Sequence, residues 1–406
     1  MRLYQINSVL NYGSTGRIVE QIGLTLQAAG GQCRVAHGYK YQRPSDLDHI
    51  VLGGPADVLW HEAQSLLLDR MGLASRRATR RLVADLAAFR PDLVHLHNLH
   101  NYYLHYPTLV EYLASTRVPV VWTLHDCWPF TGHCCYFDGT GCQRWQTGCG
   151  ACPGQGLRDY PQSLLRLSAR NYRQKRTAFS RLAGQLTLVP VSDWLASYLK
   201  DSFLQGVPYQ VIHNGIDLTA FYPRDPAALR ARLGLGTKKV ALGVALPWMP
   251  RKGLADMVAL AGQLPAETWQ VIVVGLSEKQ LAQLPAGILG MPRTGSVDEL
   301  AQYYSLADAY VTSSHEDNFP TTNLEALACG TPVVTYDTGG CGEAVDAATG
   351  RVVPQGDVAA LAAAVQAVDK AAMTAACRRR AERLFDRNLC YQAYLQLYDS
   401  LLTSRL

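Results

Sequence analysis

Short apolar, β-branched runs alternate along the whole chain with longer segments whose apolar residues recur at helical spacing. RLYQINSV (residues 2 to 9) reads as a strand, GSTG (13 to 16) as a turn, and RIVEQIGLTLQAAG (17 to 30) as a helix closed by glycine. CRVAHGY (33 to 39), DLVHLH (92 to 97), VPVVWTLH (118 to 125), LTLVPVS (186 to 192) and YQVIHN (209 to 214) predict the other strands of the first half. The rhythm pauses across residues 218 to 239. It restarts with VALGVAL (240 to 246), QVIVVG (270 to 275), AYVTSS (309 to 314) and TPVVTYD (331 to 337). Strands and helices in this alternation predict α/β domains with parallel, doubly wound sheets. The pause places one domain at 1–217 and a second at 218–387, followed by a helical segment at 388–406.

Two such domains would set the carboxyl ends of two parallel sheets across a cleft, where doubly wound sheets bind their ligands. The residues at those ends are therefore the candidates for chemistry. In the first domain they are GSTGR (13 to 17), HLHN (95 to 98), TLHD (123 to 126) and HNGID (213 to 217); in the second, PRKG (250 to 253), VVG (273 to 275) and SSHEDNFPTTNLEALACGTPVV (313 to 334). In the last stretch a strand runs through a polar loop into a helix that Thr322 opens, and a helix N-terminus suits a phosphate. Asp317 and Glu325 flank that place, and carboxylates there are natural acceptors for hydroxyl groups. Phosphate and vicinal hydroxyls together describe a nucleotide sugar. A purely structural alternative exists for Glu325, because Thr322 to Glu325 fits a capping box.

Composition changes this picture in three places. The 406 residues suffice for two ordinary domains, and MRLYQINSVL lacks the apolar core and cleavage site of a secretory leader, so the expected compartment is the cytosol. The net charge of +5 divides unevenly: residues 1 to 200 carry 21 Lys plus Arg against 13 Asp plus Glu, or +8, leaving −3 for the rest. SRRATRR (75 to 81) and the segment 166 to 181 hold much of that charge, either as solvated helix faces or as a footing on an anionic bilayer or phosphate-bearing substrate. No aromatic-interleaved platform accompanies it, which argues against nucleic acid.

Third, six of the 11 cysteines fall between Cys127 and Cys152. In a reducing compartment such a cluster is more often a metal site than a disulfide framework. Cys149 and Cys152 form a C-x-x-C pair that, with Cys142 and Cys127, would complete a structural zinc site; His133, Cys134 and Cys135 are alternates. Such an ion would order a long loop, 127–153, with little periodicity of its own. A literal Asp-x-Asp at Asp46 to Asp48 lies in a loop flanked by Pro and Ser and reads as coincidence.

The acidic residue at Asp317, seven residues, then EALACGTPVV, together with HNGID, RKG, DLVHLHN and TLHD, resembles glycosyltransferase family 4, retaining enzymes of the GT-B fold. The resemblance covers nearly the whole chain. The cysteine-rich segment further resembles a branch associated with capsule, colanic-acid and exopolysaccharide assembly. The resemblance implies that Glu325 holds the donor ribose and that Asp317 contacts the transferred sugar, with Glu316 beside it; the family usually has glutamate where Asp317 stands. It implies that Phe319, Pro320, Thr321 and Thr322 meet the diphosphate, that Lys252 neutralises it, and that Arg251 supplies the charge that many relatives carry at the position of Leu246. Gly275 lines the donor site. His125 lies near the reacting sugar, with His97 and Asp126 close by, and Gly13, Ser14, Thr15, Gly16 and Arg17 form the loop between donor phosphates and acceptor. The final segment packs back on the first domain in this family, and catalysis needs no metal.

The implied function is transfer of a sugar from a UDP- or GDP-linked donor to a saccharide acceptor, lipid-linked, in bacterial surface polysaccharide synthesis, by a cytoplasmic protein with peripheral contact to the inner face of the membrane. A sugar-nucleotide epimerase on the same fold, or a zinc-stapled scaffold with a dead donor site, are the alternatives.

Overall fold

The computed structural model describes residues 1–41, 43–153 and 160–404, so positions 405 and 406 of the expected C-terminal segment lie outside the described residues. The chain forms two compact units, Met1–His213 with Tyr391–Leu406, and Asn214–Cys390.

In the first unit, β1 (Arg2–Asn7), β2 (Gln32–Gly38), β3 (Asp48–Leu52), β4 (Leu93–Leu96), β5 (Val120–Leu124) and β6 (Leu186–Pro190) build one sheet in the order β3-β2-β1-β4-β5-β6. Every pairing is parallel. In the second unit, β7 (Lys239–Val244), β8 (Trp269–Val274), β9 (Ile288–Met291), β10 (Ala309–Thr312), β11 (Val333–Tyr336) and β12 (Gly350–Val353) pair in the order β12-β11-β10-β7-β8-β9, again all parallel. Parallel strands need crossovers, and the crossover helices cover both faces. This is why β4, β5, β6, β10 and β11 are buried at every residue.

Helix starts follow local chemistry. The side chains of Ser296, Asp357 and Asp369 each accept the amide three residues on, as N-caps do. Ser277 and Gln280 close a capping box. The first helix departs from expectation: it begins at Gly13, so GSTG is its first turn rather than a separate one.

Three strands escape the sequence pattern. β3, β9 and β12 are short edge or near-edge strands with glycine or charge in them, and their one-sided burial leaves no continuous apolar run. Conversely, YQVIHN is not a strand. Residues 208 to 212 run beside β6 and exchange backbone bonds with Leu188 and Pro190, but Pro208 has no amide to extend the ladder and only an isolated bridge at Tyr209 results.

The C-terminal helix Arg387–Thr403 contributes Tyr394 and Tyr398 to the first unit's interior. His95 on β4 is fully buried, and burial holds its pKa well below the usual range, so the ring is neutral. The Tyr398 hydroxyl reaches His95 Nδ1 at 2.7 Å, His95 Nε2 reaches Thr123 Oγ1 at 2.8 Å, and Thr123 donates to the Tyr394 hydroxyl at 3.2 Å. A neutral imidazole satisfies both contacts when Tyr398 donates and Nε2–H donates onward. Replacing Tyr398 by Phe strands a buried acceptor, and should lower unfolding free energy by about 1 to 3 kcal/mol. The expected readout is an earlier denaturant midpoint with unchanged slope; no shift would show that the bond is not formed in solution.

Candidate active site

In the second unit the strand order reverses between β7 and β10, and in doubly wound sheets that switch point is where ligands bind. The chain leaving β7 makes a one-turn helix, Pro250–Lys252, and the chain leaving β10 forms the loop that ends at the helix Thr321–Ala328. The two are pressed together. A Cβ on Gly253, at φ +71°, would stand 1.9 Å from the Ser313 carbonyl oxygen, and the Ser313 hydroxyl donates to the Gly253 carbonyl at 2.9 Å. Gly275, after β8, is likewise compelled: at φ +98° its Cβ would meet the Ala245 carbonyl at 1.9 Å.

That apposition sets the charges. Lys252 Nζ donates to Asp317 Oδ2 at 2.5 Å, with side-chain exposures of 21% and 11%. Asn318 N–H donates to the other oxygen, Oδ1, at 3.1 Å. Arg251 spans the same gap, its guanidinium donating to the Glu316 carbonyl at 2.8 Å and its own carbonyl accepting from His315 N–H at 2.7 Å. Burial pushes the Asp317 carboxyl up, but the Lys252 ammonium and Arg251 guanidinium outweigh it and hold the group below its ordinary value. Asp317 is thus an anion between two cations.

The helix after the loop starts at Thr321 with Pro320 as N-cap, and no side chain caps it. Glu325 is buried on this helix, and its Oε2 accepts the Tyr304 hydroxyl at 2.7 Å. The capping-box alternative for Glu325 is therefore wrong: Thr322 lies inside the helix rather than at its cap, because Pro320 already fixes the start. Phe319 is buried, and its carbonyl accepts from Asn214 Nδ2 at 2.9 Å.

In the first unit the order reverses between β1 and β4. Gly13 and Ser14 are exposed at the start of the helix after β1, Thr15 is half-buried, Gly16 is buried and Arg17 is exposed. His97 follows β4 and His125 follows β5. Gln5 fixes their protons. Its amide nitrogen donates to the Val19 carbonyl at 2.9 Å, which turns Oε1 toward His97 Nε2 at 3.2 Å. Since Oε1 can only accept, His97 Nε2 carries the proton and His97 Nδ1 accepts from His125 Nε2–H at 3.1 Å. The lone pair of His125 then resides on Nδ1.

Known proteins resemble this chain over most of its length. A model described as Glycosyltransferase Family 4 matches residues 15–220, about half the chain, and one described as Glycosyl transferases group 1 matches residues 238–369. The chain belongs to glycosyltransferase family 4. It is 27% identical over 282 residues to the colanic acid biosynthesis glycosyl transferase WcaC of Escherichia coli K12, a match covering 66% of this chain and 65% of that protein, just under two thirds of the relative's length. Among solved structures, sucrose-phosphate synthase from Thermosynechococcus elongatus superposes with a TM-score of 0.71 at 21% identity, covering 99% of both chains. Anabaena HepE in complex with UDP-glucose gives 0.67 at 17% identity, covering 98% of this chain and 100% of that one. These likenesses establish the GT-B α/β fold.

Against the family pattern, the position of Leu246 is 59% exposed and apolar, while Arg251 is drawn toward Glu316 and Asp317. Tyr304 and Gln5 had no signal in the sequence, since each acts through a contact made across 21 and 92 residues respectively, whereas Asn214 belongs to the HNGID motif. Asp48 of the Asp-x-Asp pair opens β3 and is ion-paired with Arg34 in the first unit.

The cysteine-rich segment is redistributed. Cys127 is buried in the core and its amide donates to the Cys135 carbonyl at 2.8 Å. The Cys134 thiol hydrogen-bonds with Cys152, which with burial pushes its pKa up, and Cys149 Sγ accepts from Gly132 N–H at 3.2 Å. Cys127, Cys149 and Cys152 all lie near enough to Cys134 to help raise its thiol pKa, and Cys142 and Cys152 act likewise on Cys149. His133 is a poor alternate, because its Nδ1 meets Asp69 Oδ1 and its Nε2 meets the Pro161 carbonyl, both at 2.6 Å.

Burial lowers the pKa of His125 to about 4, and does the same for His37 and His61. Each binds its proton less well folded than unfolded, so its stabilising contribution is complete above about pH 6.5 and is lost as pH falls toward 4. Urea unfolding between those limits should show a decline of about 1.4 kcal/mol per pH unit for each such histidine. A His125→Gln chain should show a shallower decline, and an unchanged slope would mean His125 titrates normally.

Proposed function

We propose that this chain is a retaining hexosyltransferase that moves a sugar from a UDP- or GDP-linked donor to a saccharide acceptor, lipid-linked, in bacterial surface polysaccharide synthesis. The observation that carries the reading is the Lys252–Asp317 pair flanked by Arg251 and by the uncapped helix bearing Glu325, all at the switch point of the second unit's sheet. Cations and an open helix end answer a diphosphate; buried carboxylates answer hydroxyls. HepE has been solved in complex with UDP-glucose, and WcaC is named as a colanic acid biosynthesis glycosyl transferase, which supports the donor class and the pathway.

In the reaction the anomeric C1–O bond to the diphosphate breaks, the departing phosphate oxygen takes the proton of the acceptor hydroxyl, and that hydroxyl's oxygen bonds C1 on the same face. Charge builds on the diphosphate, where Lys252, Arg251 and the amides at Thr321 and Thr322 would stabilise it. Asp317 orients a sugar hydroxyl. Glu325, held by Tyr304, accepts the ribose hydroxyls.

Calorimetric titration with UDP, GDP and ADP tests the donor site. One diphosphate should bind the wild type, and Glu325→Ala should weaken it by about 1.5 to 3 kcal/mol, roughly ten- to hundredfold. Binding of none would favour the scaffold alternative.

Peripheral contact with an anionic membrane is part of the same proposal. Among the described residues no single helix is long and apolar enough to cross a membrane. The helix Pro55–Leu68 nevertheless exposes Leu59, Trp60 and Leu67, and Leu164 and Leu165 are exposed beside it, with Leu164 N–H donating to the Leu66 carbonyl at 2.7 Å. Arg70, whose pKa is lowered by burial and by Arg170 and Arg76, shows cations from three segments crowding next to that apolar surface. Co-sedimentation with phosphatidylglycerol-rich vesicles should fall sharply when Arg76, Arg77, Arg80 and Arg81 become Ser, at about 1 kcal/mol per residue. Unchanged binding would sink this part.

A further inference from the structure

The cysteine-rich segment has one member that faces a chemically distinct pair. His100 and Asp126 come from the segments that leave β4 and β5, neighbours in the sheet, and Cys135 folds back beneath them, held by the bond from Cys127 N–H to its carbonyl. All three are buried, at 6%, 7% and 5% exposure. One ligand-capable atom from each, an imidazole nitrogen, a carboxylate oxygen and a thiol sulfur, lies within 4.8 Å of the other two. His100 Nε2 meets Asp126 Oδ2 at 2.8 Å, and Trp128 N–H donates to Asp126 Oδ1 at 2.9 Å. His100 Nδ1 is buried with no hydrogen-bond partner among the described residues.

We propose that His100, Asp126 and Cys135 form a zinc-class divalent metal site that pins the cysteine-rich segment to the carboxyl edge of the first unit's sheet. A Cys-His-Asp set also suits nucleophilic catalysis, but a nucleophile must meet its substrate and this thiol is buried on every side. An ion needs no such access. Charge favours it as well: a thiolate, a carboxylate and a neutral imidazole around a divalent cation sum to zero, the only charge state an interior tolerates cheaply. The mixture of one soft, one borderline and one hard ligand selects zinc or a near relative over magnesium or calcium, which take oxygen donors. The orphaned imidazole nitrogen is what such an ion would relieve, either as ligand or through the reorientation that ligation brings. His97 and His125 stand on the same two strand ends, so the pin would also steady them.

The site differs from the four-cysteine arrangement in its ligands, and one spectrum separates them. Full-length protein, stripped with a chelator and kept reduced, is titrated with cobalt(II) and then competed with zinc. One equivalent should bind with near-ultraviolet charge transfer of a single thiolate, reversed by zinc. Cys135→Ser should abolish the band, His100→Gln should weaken cobalt binding by more than about a hundredfold, and Cys149→Ser should leave both unchanged. No stoichiometric binding, or charge transfer of three or four thiolates that Cys149→Ser removes, would overturn the assignment. Because the wild-type spectrum counts thiolates, the test holds even if a variant fails to fold.

Discussion

A parallel sheet buried on both faces cannot turn back on itself. Each strand must be followed by a crossover, so every strand ends on the same edge. Where the strand order reverses, neighbouring crossovers go to opposite faces and leave a gap at that edge. In the second unit β7 and β10 meet there, and the Pro250–Lys252 turn and the 313–320 loop fill it from either side. Gly253 is what allows them to touch, since any side chain would collide with Ser313. The chemistry of the candidate site is built on that gap.

Electrostatics then sorts the site. Two buried carboxylates on one short stretch would repel and pick up protons if left alone. Here each is given a different environment: Asp317 lies against Lys252 and Arg251 and stays charged, whereas Glu325 is held by the neutral hydroxyl of Tyr304. The first unit manages its buried histidines differently. Gln5, Tyr398 and Thr123 dictate which nitrogen bears each proton, and burial keeps the rings neutral.

Packing also orders the cysteine-rich segment. Phe137 and Trp145 pack on each other and on Tyr198, Phe130 packs edge-on against Trp145, and all three rings join the first unit's core. Lys175 enters from the helix Ser168–Phe179, donating to the carbonyls of Trp128 at 2.7 Å and Thr131 at 3.0 Å while its ammonium lies 3.5 Å from the Trp128 ring centre. Burial lowers its pKa to about 7. A loop whose regular structure is limited to short 3-10 turns is thus given backbone partners by an intruding lysine.

The α/β class, the alternation of elements and the strand ends that matter were legible along the chain, because period and apolar runs are local properties. So were the family and the positions of Lys252, Asp317 and Glu325, since these sit in contiguous motifs. Short edge strands such as β9 and β12 were illegible, their residues being half-exposed and few. Only the folded chain shows that Glu325 meets Tyr304, that Gln5 sets the proton on His125, and that Cys135 comes within ligand distance of His100 and Asp126. Each of these joins residues from different crossovers, and no local periodicity encodes which crossovers will be neighbours once the sheet has closed its faces.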